Sequence, residues 1–108
     1  MAYESVNPYD GKTVKTFSEL TNEQLETKIA TAATCYETWK KLPYSKRAMI
    51  IARAGELMRA NVDKFAKLAT LEMGKLINEA RGEVNFSANI LAYYAKNAER
   101  FLDRKSVV

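Results

Sequence analysis

The sequence predicts a mostly α-helical chain entered through a short β-hairpin, with three or four helices after it. Three observations carry that reading. An Asp10-Gly11 pair separates two short extended stretches, apolar residues then recur at three- and four-residue intervals, and Pro43, Asn61 and Gly74 punctuate the recurrence.

The hairpin is expected over residues 4–18. Ser5-Val6-Asn7-Pro8 is extended, Tyr9-Asp10-Gly11-Lys12 is a turn in which Gly11 can take positive φ, and Thr13 to Phe17 is rich in β-branched residues. Pro8 cannot donate to a ladder, so the first strand should be an edge or should stop there.

A first helix is expected over 22–41. Thr21 and Gln24 have the spacing of a capping box, and Leu25, Ile29, Ala32, Tyr36 and Trp39 fall on one face before Pro43. Cys35 lies at the margin of that stripe and reads as a small, partly buried side chain without a role.

Ser45 should cap a second helix over 46–73, apolar at Ile50, Ile51, Ala54, Leu57 and Met58. Asn61 looks like a re-capping point, so a kink or one-turn break is expected there before Val62, Phe65, Ala66, Ala69 and Met73 continue the pattern. Gly74 then supplies the left-handed residue that ends the helix.

The last helix, over 76–103, has two apolar faces. Ile77, Ala80, Val84, Ala88, Leu91, Ala95, Ala98 and Leu102 form a core stripe, while Phe86, Ile90, Tyr93 and Asn97 form a second row on the opposite side. That row is either buried against another part of the protein or is a wall to which a ligand has access. Gly82 lies one turn before Phe86 and costs about 1 kcal/mol of helix propensity relative to Ala, which implies a packing or access reason. The closing Lys105-Ser106-Val107-Val108 looks like the start of a strand.

Composition narrows the function. The apolar fraction of 47% and the charged fraction of 28% describe an ordered globular chain rather than a disordered one. No apolar run nears the roughly 20 residues of a membrane span, and there is no basic and apolar leader, so a cytoplasmic protein with no membrane partner is expected.

A single cysteine forms no internal disulfide, and the absence of His removes Ser-His-Asp, Cys-His and His-metal chemistry from these residues. The 17 basic and 13 acidic residues are interspersed, reading as solvated helix faces rather than a nucleic-acid footprint. Catalysis by this chain alone is not expected.

One charge stands out. Phe65, Leu68 and Glu72 share a helix row, so Glu72 ends an apolar stripe, where it should be half-buried, at a C-terminus that already carries partial negative charge. Something positive should answer it, either Lys75 or a bound cation.

The stretch Leu71-Glu72-Met73-Gly74-Lys75, followed by Glu79-Ala80-Arg81-Gly82-Glu83-Val84 and Tyr93-Tyr94-Ala95, resembles the N-terminal region of the NAD(P)-dependent aldehyde dehydrogenase superfamily. The similarity is nearest to its bacterial succinate-semialdehyde dehydrogenase-like branch. Val6-Asn7-Pro8 with Gly11, Ala32-Ala33 through Trp39, and Arg47 through Leu57 extend it over essentially all of residues 1–108.

The resemblance implies that these residues are the opening part of a subunit, contributing helices to an α/β, Rossmann-like cofactor-binding domain. The parent would oxidise an aldehyde, with succinic semialdehyde a candidate, using NAD or NADP. The nucleophilic Cys, the general-base Glu, the oxyanion-hole Asn and the cofactor-binding residues of the family match nothing here. The four glycines, Gly11, Gly55, Gly74 and Gly82, are too far apart for a dinucleotide fingerprint.

Two implied sites do fall on matching positions. A monovalent cation would be held by backbone carbonyls of Ser5 and Val6 and by the carboxylate of Glu72, a Glu where relatives have Asp. A substrate tunnel would be lined by Phe86, with Asn89, Ile90 and Tyr93 nearby. The partners implied are the rest of the parent subunit and its aldehyde. The isolated chain is expected to be inactive and to hide its bare apolar faces by self-association. The competing reading is a self-standing helical interaction module whose apolar faces bind a partner.

Overall fold

The computed structural model describes residues 3–103, so the strand expected at Lys105–Val108 lies outside the described residues. Strands β1 (Tyr3–Val6) and β2 (Thr13–Phe17) form an antiparallel hairpin. Helices α1 (Asn22–Trp39), α2 (Tyr44–Ala60), α3 (Val62–Met73) and α4 (Ile77–Leu102) follow. A mostly α chain behind a hairpin is the class the sequence predicts.

The hairpin turn is built by side chains as well as by glycine. Asn7 Oδ1 accepts from the Tyr9 N–H at 3.0 Å and Asp10 Oδ1 from the Lys12 N–H at 3.1 Å, while Gly11 takes φ +69°. Tyr3 pairs with Phe17 and Ser5 with Lys15, but Val6 pairs with Thr13, so the register breaks between Ser5 and Val6.

Thr21 and Gln24 complete their capping box, each side chain accepting the other's backbone N–H, at 3.2 and 2.9 Å. The second helix departs from expectation at its start. It begins at Tyr44, and the carbonyl of Pro43, not the Ser45 side chain, accepts the first N–H groups, from Lys46 and Arg47. A single residue, Asn61 with φ −122°, separates α2 from α3, and its side-chain amide donates to the Leu57 carbonyl at 2.8 Å. Gly74 ends α3 at φ +70°, its N–H bonding the Thr70 carbonyl.

The core is where α4 packs on α2 and α3. Its buried apolar residues are small, namely Ala66, Ala80, Val84 and Ala88, and Gly55 of α2 is buried with them. A Cβ on Gly55 would stand 3.1 Å from the Ala88 carbonyl oxygen and 3.4 Å from Leu91 Cβ, so its absence lets the two helices approach. Gly82, for which a packing or access reason is expected, has open space where a Cβ would stand, so it does not pack as Gly55 does. Ion pairs flank this unit, Arg81 of α4 donating to Asp63 of α3 at 2.8 Å.

Outside that unit the apolar faces are bare. Helix α1 buries none of its residues, and its stripe at Leu25, Ile29 and Tyr36 is exposed. Cys35, expected at a half-buried margin, is exposed for the same reason. The radius of gyration is 18.6 Å, against about 13 Å for a compact chain of this size, so the elements spread rather than close over one another.

Candidate functional site

Two surfaces carry the residues of interest. The first is the joint between α3 and α4, against which the end of the hairpin rests. A Cβ on Gly74 would stand 3.1 Å from Pro8 Cγ, so the residue that stops α3 is also the one that admits the hairpin. A groove of about 500 Å³ opens here, lined among others by Asn7, Tyr9, Lys67, Thr70, Gly74 and Ile77. The Thr70 hydroxyl is buried with no hydrogen-bond partner.

Ser5 and Val6 are adjacent on β1, at the point where the ladder register breaks. Glu72 lies in the last turn of α3. It is exposed, not half-buried, because the row it ends is itself uncovered, with Phe65 and Leu68 at 38% and 44% exposure. Lys75, one of its expected partners, bonds Glu83 of α4 instead. Among the described residues Glu72 has no ion pair or hydrogen bond. No group of three or more His, Cys, Asp or Glu side chains among the described residues could hold a metal, so a cation here would depend on backbone carbonyls.

The second surface is the outer side of α4. Phe86 is 65% exposed, and Ile90 and Tyr93 are exposed with it, directly opposite buried Ala80, Val84 and Ala88. Tyr93 meets the edge of Tyr94 at 5.4 Å between ring centres and lies 6.1 Å from the Phe101 ring. Asn89 borders the same row, where its Oδ1 accepts from Arg59 Nη2 of α2 at 2.5 Å. The structure therefore puts Phe86, Asn89, Ile90 and Tyr93 on one sector of α4, while Ser5 and Val6 stand on β1 and Glu72 in the last turn of α3. Gly55 and Arg59 were not singled out by sequence reasoning. A mid-helix glycine was the available signal for Gly55, but it pointed equally to Gly82.

Beside these surfaces the Asp63 carboxyl is held below the usual carboxylate value by the hydrogen bond from Arg81 and then by that guanidinium's charge.

The strand-to-helix turn of a dinucleotide fingerprint is not formed among the described residues. Among the described residues the strands form only an antiparallel hairpin, and the strand-to-helix junction Ser18-Glu19-Leu20-Thr21 contains no glycine. No helix among them is long and apolar enough to cross a membrane.

The fold of this hairpin and these helices superposes on part of known enzymes. Residues 1–108 match the aldehyde dehydrogenase family along their whole length, and the chain belongs to that family. The succinate-semialdehyde dehydrogenase (NADP+) of Deinococcus radiodurans is 45% identical over 105 residues, which make up 97% of this chain and 22% of that protein. The probable succinate-semialdehyde dehydrogenase (NADP+) of Synechocystis is 34% identical over 102 residues, again 22% of its length. In fold, succinic semialdehyde dehydrogenase from Streptococcus pyogenes, solved with NADP+ as the cofactor, superposes with a TM-score of 0.88 at 34% identity. That match covers 94% of this chain and 22% of the other. The chain thus spans about a fifth of the length of the relatives it matches.

Proposed function

We propose that these residues are the N-terminal helical part of an aldehyde dehydrogenase that oxidises an aldehyde to its carboxylic acid, with NADP or NAD as hydride acceptor. Succinic semialdehyde is the candidate substrate. The observation that carries this reading is agreement in sequence and fold with the Streptococcus pyogenes enzyme over 94% of this chain but only 22% of that one. The bare faces of α1 and α4 fit it, since such faces call for cover. Cys35, exposed in the middle of α1, has no His anywhere in the chain to activate it, so the nucleophile belongs to another part of the parent.

In this reading the chain contributes a wall and a cation seat rather than chemistry. Phe86, Asn89, Ile90 and Tyr93 line the approach of the aldehyde. The carbonyls of Ser5 and Val6 and the carboxylate of Glu72 hold a monovalent cation. Three features support that seat: the broken ladder register at Ser5 and Val6, the unpartnered Glu72, and the hairpin docked at Gly74.

The test of the activity is to assay the complete reading frame and the 108-residue chain with succinic semialdehyde and small aliphatic aldehydes, using NAD and NADP in turn. Turnover is expected only from the complete protein. Turnover by the chain alone, or none by the complete protein, would contradict the reading. For the cation, sodium or potassium chloride should raise the melting temperature of the complete protein above that in choline chloride. Glu72→Gln should remove the difference, and identical melting in the three salts would sink the cation seat.

A further inference from the structure

We infer that Gly82 marks the point at which an extended stretch of main chain, from the part of the subunit outside these 108 residues, crosses helix α4 at close range. This rests on the reading of the chain as the N-terminal part of a longer dehydrogenase. The sequence holds four glycines, and the structure accounts for three of them.

Gly11 and Gly74 have positive φ, +69° and +70°, a backbone that side chains disfavour. Gly55 lies within α2, where a Cβ would stand 3.1 Å from the Ala88 carbonyl oxygen, so its bareness admits the backbone of α4. Gly82 has neither reason. It lies in the second turn of α4, inside the helix ends, its φ is not positive, and a Cβ there would have nothing within 4 Å. A glycine inside a helix weakens it relative to Ala, and no contact among the described residues offsets that. Gly55 shows the kind of neighbour that a bare helix position admits, which is a backbone atom.

The surroundings of Gly82 indicate which kind of backbone. Side chains three and four positions away frame a helix position, and here they are Asn78, Glu79, Asn85 and Phe86, all exposed. Asn78 Oδ1 accepts from Arg81 Nη1 at 3.0 Å, which leaves its amide N–H groups. The Glu79 and Asn85 side chains form no hydrogen bond or ion pair among the described residues. Donors and acceptors around a bare position suit a main chain whose own N–H and C=O groups are unpaired, as in a loop or at a strand edge. A second helix keeps those groups for itself. The Phe86 ring, 65% exposed, offers apolar cover beside the crossing.

The crossing chain has a source. Residues 1–108 span 22% of the Deinococcus radiodurans relative, so most of a subunit of that kind lies outside them.

The experiment measures thermal melting of the complete protein carrying Gly82→Ala, Gly82→Leu or Asn85→Ala, beside the unaltered sequence. Ala and Leu are both good helix formers, so helix propensity alone would raise the melting temperature. Against a crossing main chain both should lower it, by a few degrees for Ala and further for Leu. Asn85→Ala should lower it as well. If Gly82→Leu does not fold, the sign for Gly82→Ala decides. A rise or no change for Gly82→Ala in the complete protein would overturn the crossing, and a changed KM for bulky aldehydes alongside would make the bare position an access route. A loss that appears in the 108-residue chain as its concentration is raised would also overturn it, since the crossing chain would then belong to a second copy. Turnover is read separately. Aldehyde oxidation with a rise in melting removes the crossing and leaves the activity, whereas a fall in melting without oxidation keeps the crossing and removes the activity.

Discussion

Pro8 is seated on Gly74, with its Cγ 3.1 Å from where a Cβ would stand, so a loop residue of the hairpin and a helix stop 66 positions later form one contact. Gly74 is at φ +70°, and Gly11 at φ +69° has the same backbone but nothing within 4 Å. Replacing either by Ala should cost about 1–2 kcal/mol for the left-handed backbone alone. Gly74→Ala should cost more, through Pro8, and pairing it with Pro8→Ala should recover the excess. Urea unfolding of Gly11→Ala, Gly74→Ala, Pro8→Ala, the Pro8→Ala/Gly74→Ala pair and the parent sequence checks the order. Equal losses at both glycines would remove Pro8 from the account.

Gly55 and Gly82 should respond with opposite signs. Both substitutions gain up to about 1 kcal/mol of helix propensity, but at Gly55 the new methyl meets the Ala88 carbonyl oxygen, a backbone atom fixed within α4. Overpacking of this kind costs about 1–3 kcal/mol. Gly82→Ala meets nothing. The melting temperature of the 108-residue chain should therefore fall for Gly55→Ala and rise for Gly82→Ala.

Asp63 sets an acid limit. Its folded-state pKa is depressed by Arg81, so the pair stabilises the α3–α4 contact above the ordinary carboxylate value of 3.8. That contribution is lost as pH falls through the lowered value. Arg81→Gln should bring the Asp63 titration, followed by carboxyl NMR, back towards the ordinary value. Asp63→Asn should flatten the dependence of stability on pH in the acid range, and an Asp63 titration that ignores Arg81→Gln would break the argument.

The features legible in the sequence are those with local causes. The Asp10-Gly11 turn, the Thr21–Gln24 box, the Asn61 break and the Gly74 stop are each decided within a few residues, and each stands where the pattern placed it. The two faces of α4 were legible too, because periodicity reports which residues share a side. It does not report whether that side is covered. Glu72 reads as half-buried because Phe65 and Leu68 precede it, yet the whole row is open. The stripe of α1 is bare for the same reason.

Long-range partners were the other gap. Gly55 and Gly82 are both glycines within helices, and only the approach of α4 separates the one that packs from the one that does not. Lys75 is three residues from Glu72 in sequence, but the start of α4 presents Glu83 to it. Arg59 and Asn89 are 30 positions apart, and nothing local links them.

On the proposed function, the bare faces of α1 and α4 are surfaces that the rest of an aldehyde dehydrogenase subunit covers. Amide hydrogen exchange, measured residue by residue in the 108-residue chain and in the complete protein, tests it most directly. In the chain alone, Asn22–Trp39 should exchange much faster than the α4 turns around Ala80, Val84 and Ala88. In the complete protein, α1 should become as protected as those turns. Protection of α1 that is the same in both would contradict the account.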